Sequence, residues 1–176
     1  MLELFIVVGP SGAGKDTLLA GAAARRGDVH IARRVITRPR DDASEDHQPA
    51  DEAEFHARRE AGEFAVWWRA HGLYYGVPHA EIRQDGILLV NGSRSALGEI
   101  LRAFPNAKVI LVTAPDAVLA SRLAARGRES AAGIARRLER AGFDIPDGVR
   151  PLMVVNDGTP REGIDRFLAI LQPVSA

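Results

Sequence analysis

A glycine-rich loop between an apolar segment and a helix-forming segment constrains this fold more than any other feature of the chain. Leu2–Val8 is predicted to be a buried β-strand because it is short, apolar and rich in β-branched residues. The loop after it has the G-x-x-x-x-G-K spacing of a phosphate-binding loop. Its glycines let backbone amides approach a polyphosphate, and a helix from Lys15 to Arg25 adds unpaired N–H groups and a positive dipole end. The predicted nucleotide-binding residues here are Gly9, Pro10, Ser11, Gly12, Ala13, Gly14, Lys15, Asp16 and Thr17.

The residue after the loop lysine departs from the usual pattern. A Ser or Thr hydroxyl that binds Mg²⁺ normally stands there, whereas this chain has Asp16, with Thr17 one residue later. A carboxylate is also a hard oxygen donor, so either Asp16 binds the metal, directly or through water, or Thr17 supplies the hydroxyl. We therefore predict Mg²⁺, together with ATP, as the cofactor. Lys15 is predicted to be catalytic because its ammonium can reach the β- and γ-phosphates as a compact charge.

The composition is typical of one soluble, globular domain. The chain has 176 residues, 46% of them hydrophobic and 26% charged. Its net charge is zero, which argues against nucleic acid or an anionic membrane as a partner. It has no cysteine, which excludes disulfides, thiolate metal ligands and a cysteine nucleophile. Since the N-terminus lacks a basic signal-like region and a long apolar run, we expect a cytoplasmic protein, and the oligomeric state stays open.

Strand-like and helix-like patterns alternate along the chain, which predicts an α/β fold with a mostly parallel sheet and helices on both faces. Thr37–His79 interrupts this alternation with a loop to Ala50, a helix capped by Asp51 and a hairpin centred on Gly72. We predict that this segment, about 37–79, is an inserted lobe on a core of residues 1–36 and 80–176. The other predicted strands are Ile31–Ile36, Ile87–Val90, Val109–Val112 and Leu152–Val155. The other predicted helices lie at 97–104, at 115–126, after Ser130 and from Thr159 onward.

Arginines are concentrated in two places beyond the phosphate loop. Arg38 and Arg40 flank a proline, and their guanidinium groups can form bidentate hydrogen bonds with a phosphate. The alternative is a solvated basic loop. A second arginine-rich segment lies around Gly127, between two predicted helices, and can close over a transferring phosphoryl group. A solvated helix face is the alternative there. We predict a lid at about 126–137, with Arg126 and Arg137 as its catalytic arginines.

Taken together, these motifs resemble the guanylate kinase family across nearly the whole chain. The matching runs are the phosphate loop, Thr-Arg-Pro-Arg at 37–40, Gly-Glu-Phe at 62–64, His-Gly-Leu-Tyr-Tyr-Gly at 71–76 and Arg-Leu-x-x-Arg-Gly-Arg at 122–128. The resemblance implies a P-loop NTPase fold of the nucleoside monophosphate kinase type, with an ATP-binding core, a small acceptor-binding lobe and an arginine-rich lid. It also implies that Arg122 and Asn156 bind ATP, and that Arg38, Arg40, His47 and Tyr75 hold the acceptor phosphate.

The positions that read guanine in guanylate kinases are changed in this chain. They fall on Arg34, Val66 and Val77, and a further one falls on Asn91 or Gly92. A site that keeps its phosphate contacts and loses its base contacts is expected to reject GMP. The extra cation at Arg34 indicates a more anionic acceptor. The predicted substrate-binding residues are therefore Arg34, Arg38, Arg40, His47, Tyr75 and Asn91.

This profile is similar to that of a related family, the ribose 1,5-bisphosphate phosphokinases of phosphonate catabolism. The shared runs are the loop ending in Lys-Asp, Tyr-Tyr-Gly-Val at 74–77 and Leu-Val-Asn-Gly-Ser-Arg at 89–94. The resemblance implies ATP-dependent phosphorylation of ribose 1,5-bisphosphate to 5-phosphoribosyl 1-diphosphate (PRPP), so ATP and a phosphorylated sugar would be the partners. The alternatives are a guanylate kinase, a kinase of another phosphorylated small molecule, and a non-catalytic guanylate kinase-like module that binds phosphopeptides. The intact phosphate loop argues against the last.

Overall fold

The computed structural model of the chain describes residues 1–40, 45–127, 130, 132–133 and 145–171. Within them the strands are β1 (Leu2–Val8), β2 (Val29–Ile31), β3 (Val35–Ile36), β4 (Gln48–Pro49), β5 (Phe64–Ala70), β6 (Leu73–Pro78), β7 (Gly86–Asn91), β8 (Lys108–Thr113) and β9 (Leu152–Val155). The helices are α1 (Lys15–Arg25), α2 (Glu52–Glu60), α3 (Leu97–Ala103), α4 (Asp116–Ala125) and α5 (Pro160–Ile170).

A five-stranded parallel sheet in the order β2-β7-β1-β8-β9 forms the core. Side chains alternate across β1, so Phe5 faces one side of the sheet and Ile6 the other. Phe5 packs in a cluster with Leu18 of α1 and Phe167 of α5. Ile6 packs in a second cluster with Ile100 of α3. The predicted parallel sheet with helices on both faces is therefore confirmed.

A smaller sheet in the order β4-β3-β6-β5 lies beside the core. The predicted hairpin is confirmed as β5 and β6, which pair antiparallel around His71 and Gly72, both in the left-handed region with φ of 53° and 73°. Asp51 caps α2 by accepting a 2.7 Å hydrogen bond from the backbone N–H of Glu54, as predicted. Trp68 of β5 joins the Ile6 side of the core, so the small sheet is packed against the large one.

The prediction of a single strand at Ile31–Ile36 is wrong. The chain forms β2 in the large sheet and β3 in the small sheet, and residues 32–34 connect them. The pairing partners explain the break, because β2 pairs parallel with β7 while β3 pairs antiparallel with β6. The segment 37–50, predicted to be loop throughout, also contains β4, which pairs with β3. The predicted lobe boundary at 37 stays a prediction, although membership of the small sheet begins at Val35.

The two predicted helices nearest the C-terminus differ in how much of them the structure describes. The C-terminal helix is confirmed as α5 and begins with a capping box formed by Thr159 and Glu162. For the helix predicted after Ser130, Ser130 Oγ accepts a 3.2 Å hydrogen bond from the N–H of Gly133, as a cap would. Its predicted apolar face at Ile134, Leu138 and Ala141 lies outside the described residues. Among the helices that are described, none is both long and apolar enough to cross a membrane.

Candidate active site

The phosphate loop connects the carboxyl end of β1 to the first turn of α1. Close packing explains two of its glycines. A Cβ on Gly9 would lie 2.1 Å from the carbonyl oxygen of Val112 in β8. Gly14 has a φ of 86°, and a Cβ there would lie 2.5 Å from Asn156 Nδ2. The loop is thus fitted between β8 and the segment after β9, with the N-terminus of α1 at its end.

Lys15, the first residue of α1, folds its side chain back over this loop. Its Nζ donates hydrogen bonds to the carbonyl oxygens of Gly9 at 2.7 Å and Pro10 at 3.4 Å. Burial lowers the pKa of Lys15 to about 8, against the opposing effect of the Asp16 carboxylate. A bound polyphosphate would favour the charged ammonium, because the ligand's negative charge replaces the lost solvation.

Arg122 and Asn156 support the loop from its other side. Arg122 donates to the carbonyl oxygens of Gly12 at 3.2 Å, Ala13 at 3.4 Å and Asn156 at 2.8 Å. The Asn156 amide donates a 2.8 Å hydrogen bond to the Ala13 carbonyl. Neither side chain lines the cleft described next, so their predicted contact with ATP stays a prediction, and what the structure shows is that they hold the loop in shape.

A cleft of about 520 Å³ opens between the phosphate loop and the small sheet. Cationic side chains dominate its walls, and two carboxylates lie among them. An excess of cations in a concave site attracts and concentrates anionic ligands. The charged residues that line it are Lys15, Arg34, Arg38, Arg94, Arg126, Asp16 and Glu45. The other lining residues are Gly9, Ser11, Gly12, Gly14, Thr17, His71, Tyr75, Asn91, Gly92, Ser93 and Ser95.

Arg34 is buried at this cleft and engaged by the protein itself. Its Nη1 donates a 2.7 Å hydrogen bond to the carbonyl oxygen of Asn91, and its Nη2 pairs with the Glu45 carboxylate. Its Cζ lies 4.9 Å from the ring centroid of Tyr75, a cation–π distance. Arg34 was predicted to bind substrate, and these contacts make it also a support for the cleft wall.

Asn91 connects the phosphate-loop helix to the loop before β4. It is the last residue of β7, opposite Val7 of β1, and this places it beside the loop. Its buried amide Nδ2 donates two hydrogen bonds of 3.0 Å, one to Asp16 Oδ1 and one to Glu45 Oε2. The two carboxylates are therefore held on either side of one neutral amide.

Arg38 has the features expected of a phosphate contact. It lines the cleft, and its Nε is buried without a hydrogen-bond partner in the described part of the chain. A buried unpaired donor of this kind is costly unless a ligand satisfies it. Tyr75 lines the same wall, and burial raises the pKa of its hydroxyl despite the opposing effect of nearby Arg34 and Arg38. Tyr75 therefore stays protonated and can donate to a phosphate oxygen.

Three other predicted residues lie in different settings. His47 is fully buried behind the cleft, with Nδ1 3.1 Å from the Glu45 carbonyl oxygen and Nε2 3.1 Å from that of Arg38. It does not line the cleft and instead fixes the backbone that carries Arg38. Arg40 is exposed, 3.7 Å from Asp46, and is also absent from the lining. Arg126 lines the cleft at the end of α4, whereas Arg137 lies outside the described residues.

Some cleft residues were missed from the sequence. The missed residues are Glu45, His71, Gly92, Ser93, Arg94 and Ser95. The Asn-Gly-Ser-Arg run held a signal for three of them, because it belongs to a shared family motif. The valines at the guanine-reading positions, Val66 and Val77, are 7% and 0% exposed and pack in the core beside Trp68.

Two solved structures with a similar fold are those of kinases. Guanylate kinase from Anaplasma phagocytophilum superposes with a TM-score of 0.62 at 18% identity, covering 96% of this chain and 84% of that one. A gluconokinase from Sinorhizobium meliloti superposes with a TM-score of 0.54 at 16% identity, covering 96% and 91%. These likenesses concern the fold alone. The fold and the phosphate loop with its lysine define a P-loop protein with a guanylate kinase-like fold.

Curated relatives identify the family within that class. Ribose 1,5-bisphosphate phosphokinase PhnN from Rhizobium etli is 45% identical over 98% of this chain and 91% of its own length. The protein of that name from Agrobacterium fabrum is 43% identical over 96% of both chains. The chain therefore belongs to the ribose 1,5-bisphosphate phosphokinase family. It matches a bifunctional ribose 1,5-bisphosphokinase-thymidine phosphorylase from Cupriavidus necator at 48% identity, but spans only 29% of that protein's length. No protein-family model matches the chain.

Proposed function

We propose that this chain transfers the γ-phosphoryl group of ATP to the 1-phosphate of ribose 1,5-bisphosphate, giving PRPP and ADP. The names of the full-length relatives support this reaction. One observation on this chain carries it. A single cleft is lined by the phosphate loop and by Arg34, Arg38 and Tyr75, which form what we call the acceptor wall. Val66 and Val77 are buried at the positions where a guanylate kinase reads its base.

The reaction asks for positioning and charge neutralisation more than for proton transfer. An oxygen of the 1-phosphate attacks the γ-phosphorus, and the bond from that phosphorus to the bridging β–γ oxygen breaks as ADP leaves. The attacking phosphate is already ionised near neutral pH, so no strong general base is needed. Lys15 holds the β- and γ-phosphates, Arg38 and Tyr75 hold the acceptor, and Arg126 approaches the transferring group from the lid side. We propose Arg137 as a second lid arginine.

The proposed Mg²⁺ site lies where α1 begins. Asp16 and Thr17 are exposed and both line the cleft, and Asn91 orients the Asp16 carboxylate. A carboxylate and a hydroxyl are the hard oxygen donors that Mg²⁺ prefers, so the residues present fit the ion. When bound there with ATP, Mg²⁺ would neutralise charge on the β- and γ-phosphates.

A direct assay tests the proposed function. We expect ATP and ribose 1,5-bisphosphate to yield ADP and PRPP in equal amounts. ADP is measured by enzyme coupling, and PRPP by its consumption in a phosphoribosyltransferase reaction. ADP release without PRPP would mean that the acceptor is wrong, and absence of both would mean that the activity is wrong.

Replacement of Arg38 tests the acceptor wall. We expect Arg38→Ala to lower kcat/KM for ribose 1,5-bisphosphate by about 10²-fold or more, because a charge-assisted phosphate grip is lost, and to change KM for ATP little. Arg40→Ala is the matched variant, since Arg40 belongs to the same motif and lies outside the cleft. Steady-state kinetics with each substrate varied give the comparison. An equal loss of kcat/KM for ribose 1,5-bisphosphate in both variants would mean that Arg40 also binds the acceptor. A defect of Arg38→Ala seen only with ATP would mean that Arg38 does not bind the acceptor.

Replacement of Asp16 tests the metal site. We expect Asp16→Ala to raise the Mg²⁺ concentration for half-maximal rate by about ten-fold or more, a cost typical of changes around a metal site. Metal-free nucleotide binding should change much less. The measurement is a Mg²⁺ titration of the rate beside nucleotide binding in a chelator. Thr17→Val is the matched variant, and a larger shift in that variant than in Asp16→Ala would assign the metal to Thr17.

A further inference from the structure

We propose that Glu45 recognises the sugar of the acceptor, with its carboxylate accepting hydrogen bonds from the 2- and 3-hydroxyls of the ribose ring. This inference rests on the proposed function and adds to it a residue that selects ribose against deoxyribose. Glu45 lies in the loop before β4 and lines the cleft, with its side chain 17% exposed.

Glu45 lies between two cationic ends of the cleft. At one end, Asn91 Nδ2 donates hydrogen bonds to both Glu45 Oε2 and Asp16 Oδ1, which places the Glu45 carboxylate near the residue that follows Lys15. At the other end, Glu45 pairs with Arg34, whose Cζ lies 4.9 Å from the ring centroid of Tyr75, and Tyr75 lines the cleft with Arg38. The order along the cleft is therefore the phosphate-loop lysine, the Glu45 carboxylate, and then Tyr75 with Arg38.

The Glu45 carboxylate is fixed in place before any ligand arrives. One oxygen pairs with Arg34 Nη2, and the other accepts a 3.0 Å hydrogen bond from Asn91 Nδ2. His47 Nδ1 lies 3.1 Å from the Glu45 backbone carbonyl, which anchors the same residue from behind. These contacts orient the group, and an ionised carboxylate only accepts hydrogen bonds, which suits it to hydroxyl donors. A group oriented in advance binds its ligand without an ordering cost.

The chemistry of the acceptor matches this order. A ribose bisphosphate carries an anion at each end and hydroxyl donors between them. A carboxylate repels phosphate oxygens and accepts readily from hydroxyl groups, so Glu45 favours placement of the ring, and not of a phosphate, in the middle of the cleft. Arg34 balances the charge of Glu45, which keeps the cleft attractive to the two phosphates.

The experiment compares acceptors that differ by one hydroxyl. Wild type, Glu45→Gln and Asp46→Asn are each assayed with ribose 1,5-bisphosphate and with its 2-deoxy and 3-deoxy analogues. We expect wild type to prefer ribose by at least about ten-fold in kcat/KM over each analogue, and Glu45→Gln to lose most of that preference. Asp46→Asn removes the neighbouring carboxylate, which is exposed and paired with Arg33, and should keep the wild-type preference. Because the preference is a ratio within one preparation, partial unfolding of a variant does not alter it.

The outcomes separate this inference from the function on which it rests. If wild type forms no PRPP, the proposed function fails, and the inference fails with it. If wild type forms PRPP and Glu45→Gln is slower but keeps the wild-type preference, Glu45 serves only to neutralise Arg34, and the inference alone is overturned. A raised Mg²⁺ requirement in Glu45→Gln with an unchanged preference would assign the carboxylate to the metal and overturn it equally. Loss of preference in Glu45→Gln together with its retention in Asp46→Asn supports the inference.

Discussion

GMP should be phosphorylated at least about 10³-fold less efficiently than ribose 1,5-bisphosphate, because a polar acceptor whose hydrogen-bonding groups find no partner is strongly rejected. Two positions that would read guanine hold Val66 and Val77, and both are closed off in the core beside Trp68. A third holds Arg34, whose guanidinium is already engaged with Glu45 and the Asn91 carbonyl. The measurement is kcat/KM for each acceptor from ADP release, on one preparation at saturating ATP.

The same comparison contains its own control. Activity with ribose 1,5-bisphosphate shows that the preparation is folded and binds ATP, so a low rate with GMP reports on the acceptor alone. ADP release with GMP at a rate equal to that with ribose 1,5-bisphosphate would place the chain functionally among the guanylate kinases. It would also mean that Val66 and Val77 do not govern the choice of acceptor.

Replacement of Lys15 by alanine should lower kcat by at least about 10²-fold, because it removes a cation placed to neutralise charge in the transition state. Lys15 is the lysine of the phosphate loop, and its Nζ is held over that loop by the Gly9 carbonyl at 2.7 Å. Single-turnover and steady-state rates on the purified variant give the measurement. Lys108→Ala is a matched control, because Lys108 is the other lysine of the chain and pairs with Glu3 at 2.8 Å.

The folded state should survive the change at Lys15. Burial lowers the pKa of Lys15 to about 8, below its ordinary value of 10.5, so the charged ammonium opposes folding at pH 7. That cost is present below pH 8 and disappears as the pH rises from 8 towards 10.5. The variant therefore should not unfold more easily at neutral pH, and denaturant unfolding checks this. Near-normal turnover in a folded Lys15→Ala protein would remove this lysine from the mechanism.

Local sequence patterns were sufficient for most of the secondary structure. β1 and α1 have the predicted bounds because a β-branched run and a glycine-rich loop act within a few residues of each other. Asp51 and Thr159 begin their helices as predicted, since a cap needs only the residue three positions further on. The hairpin was equally predictable, because Gly72 allows the turn between its strands.

The candidate site was only partly predictable. The loop residues follow from the motif, and Arg38, Tyr75 and Asn91 from the resemblance, and all of these except Pro10 and Ala13 line one cleft. Glu45 gave no signal of its own, because its importance comes from contacts with Arg34 and Asn91, which are 11 and 46 residues away. His47 was predicted to bind substrate, yet both its ring nitrogens face backbone carbonyls.

The sequence by itself determined the P-loop kinase class and most of the strands and helices along the chain, because these depend on periodicity, short spacing and residue chemistry. Only the tertiary structure decided that Val29–Ile36 divides between two sheets, since each strand takes its partner from a different distant segment, β7 or β6. It also decided which polar side chains face the cleft and which are buried behind it. The orientation of these side chains depends on packing between residues far apart in the chain, so a local sequence pattern does not predict it.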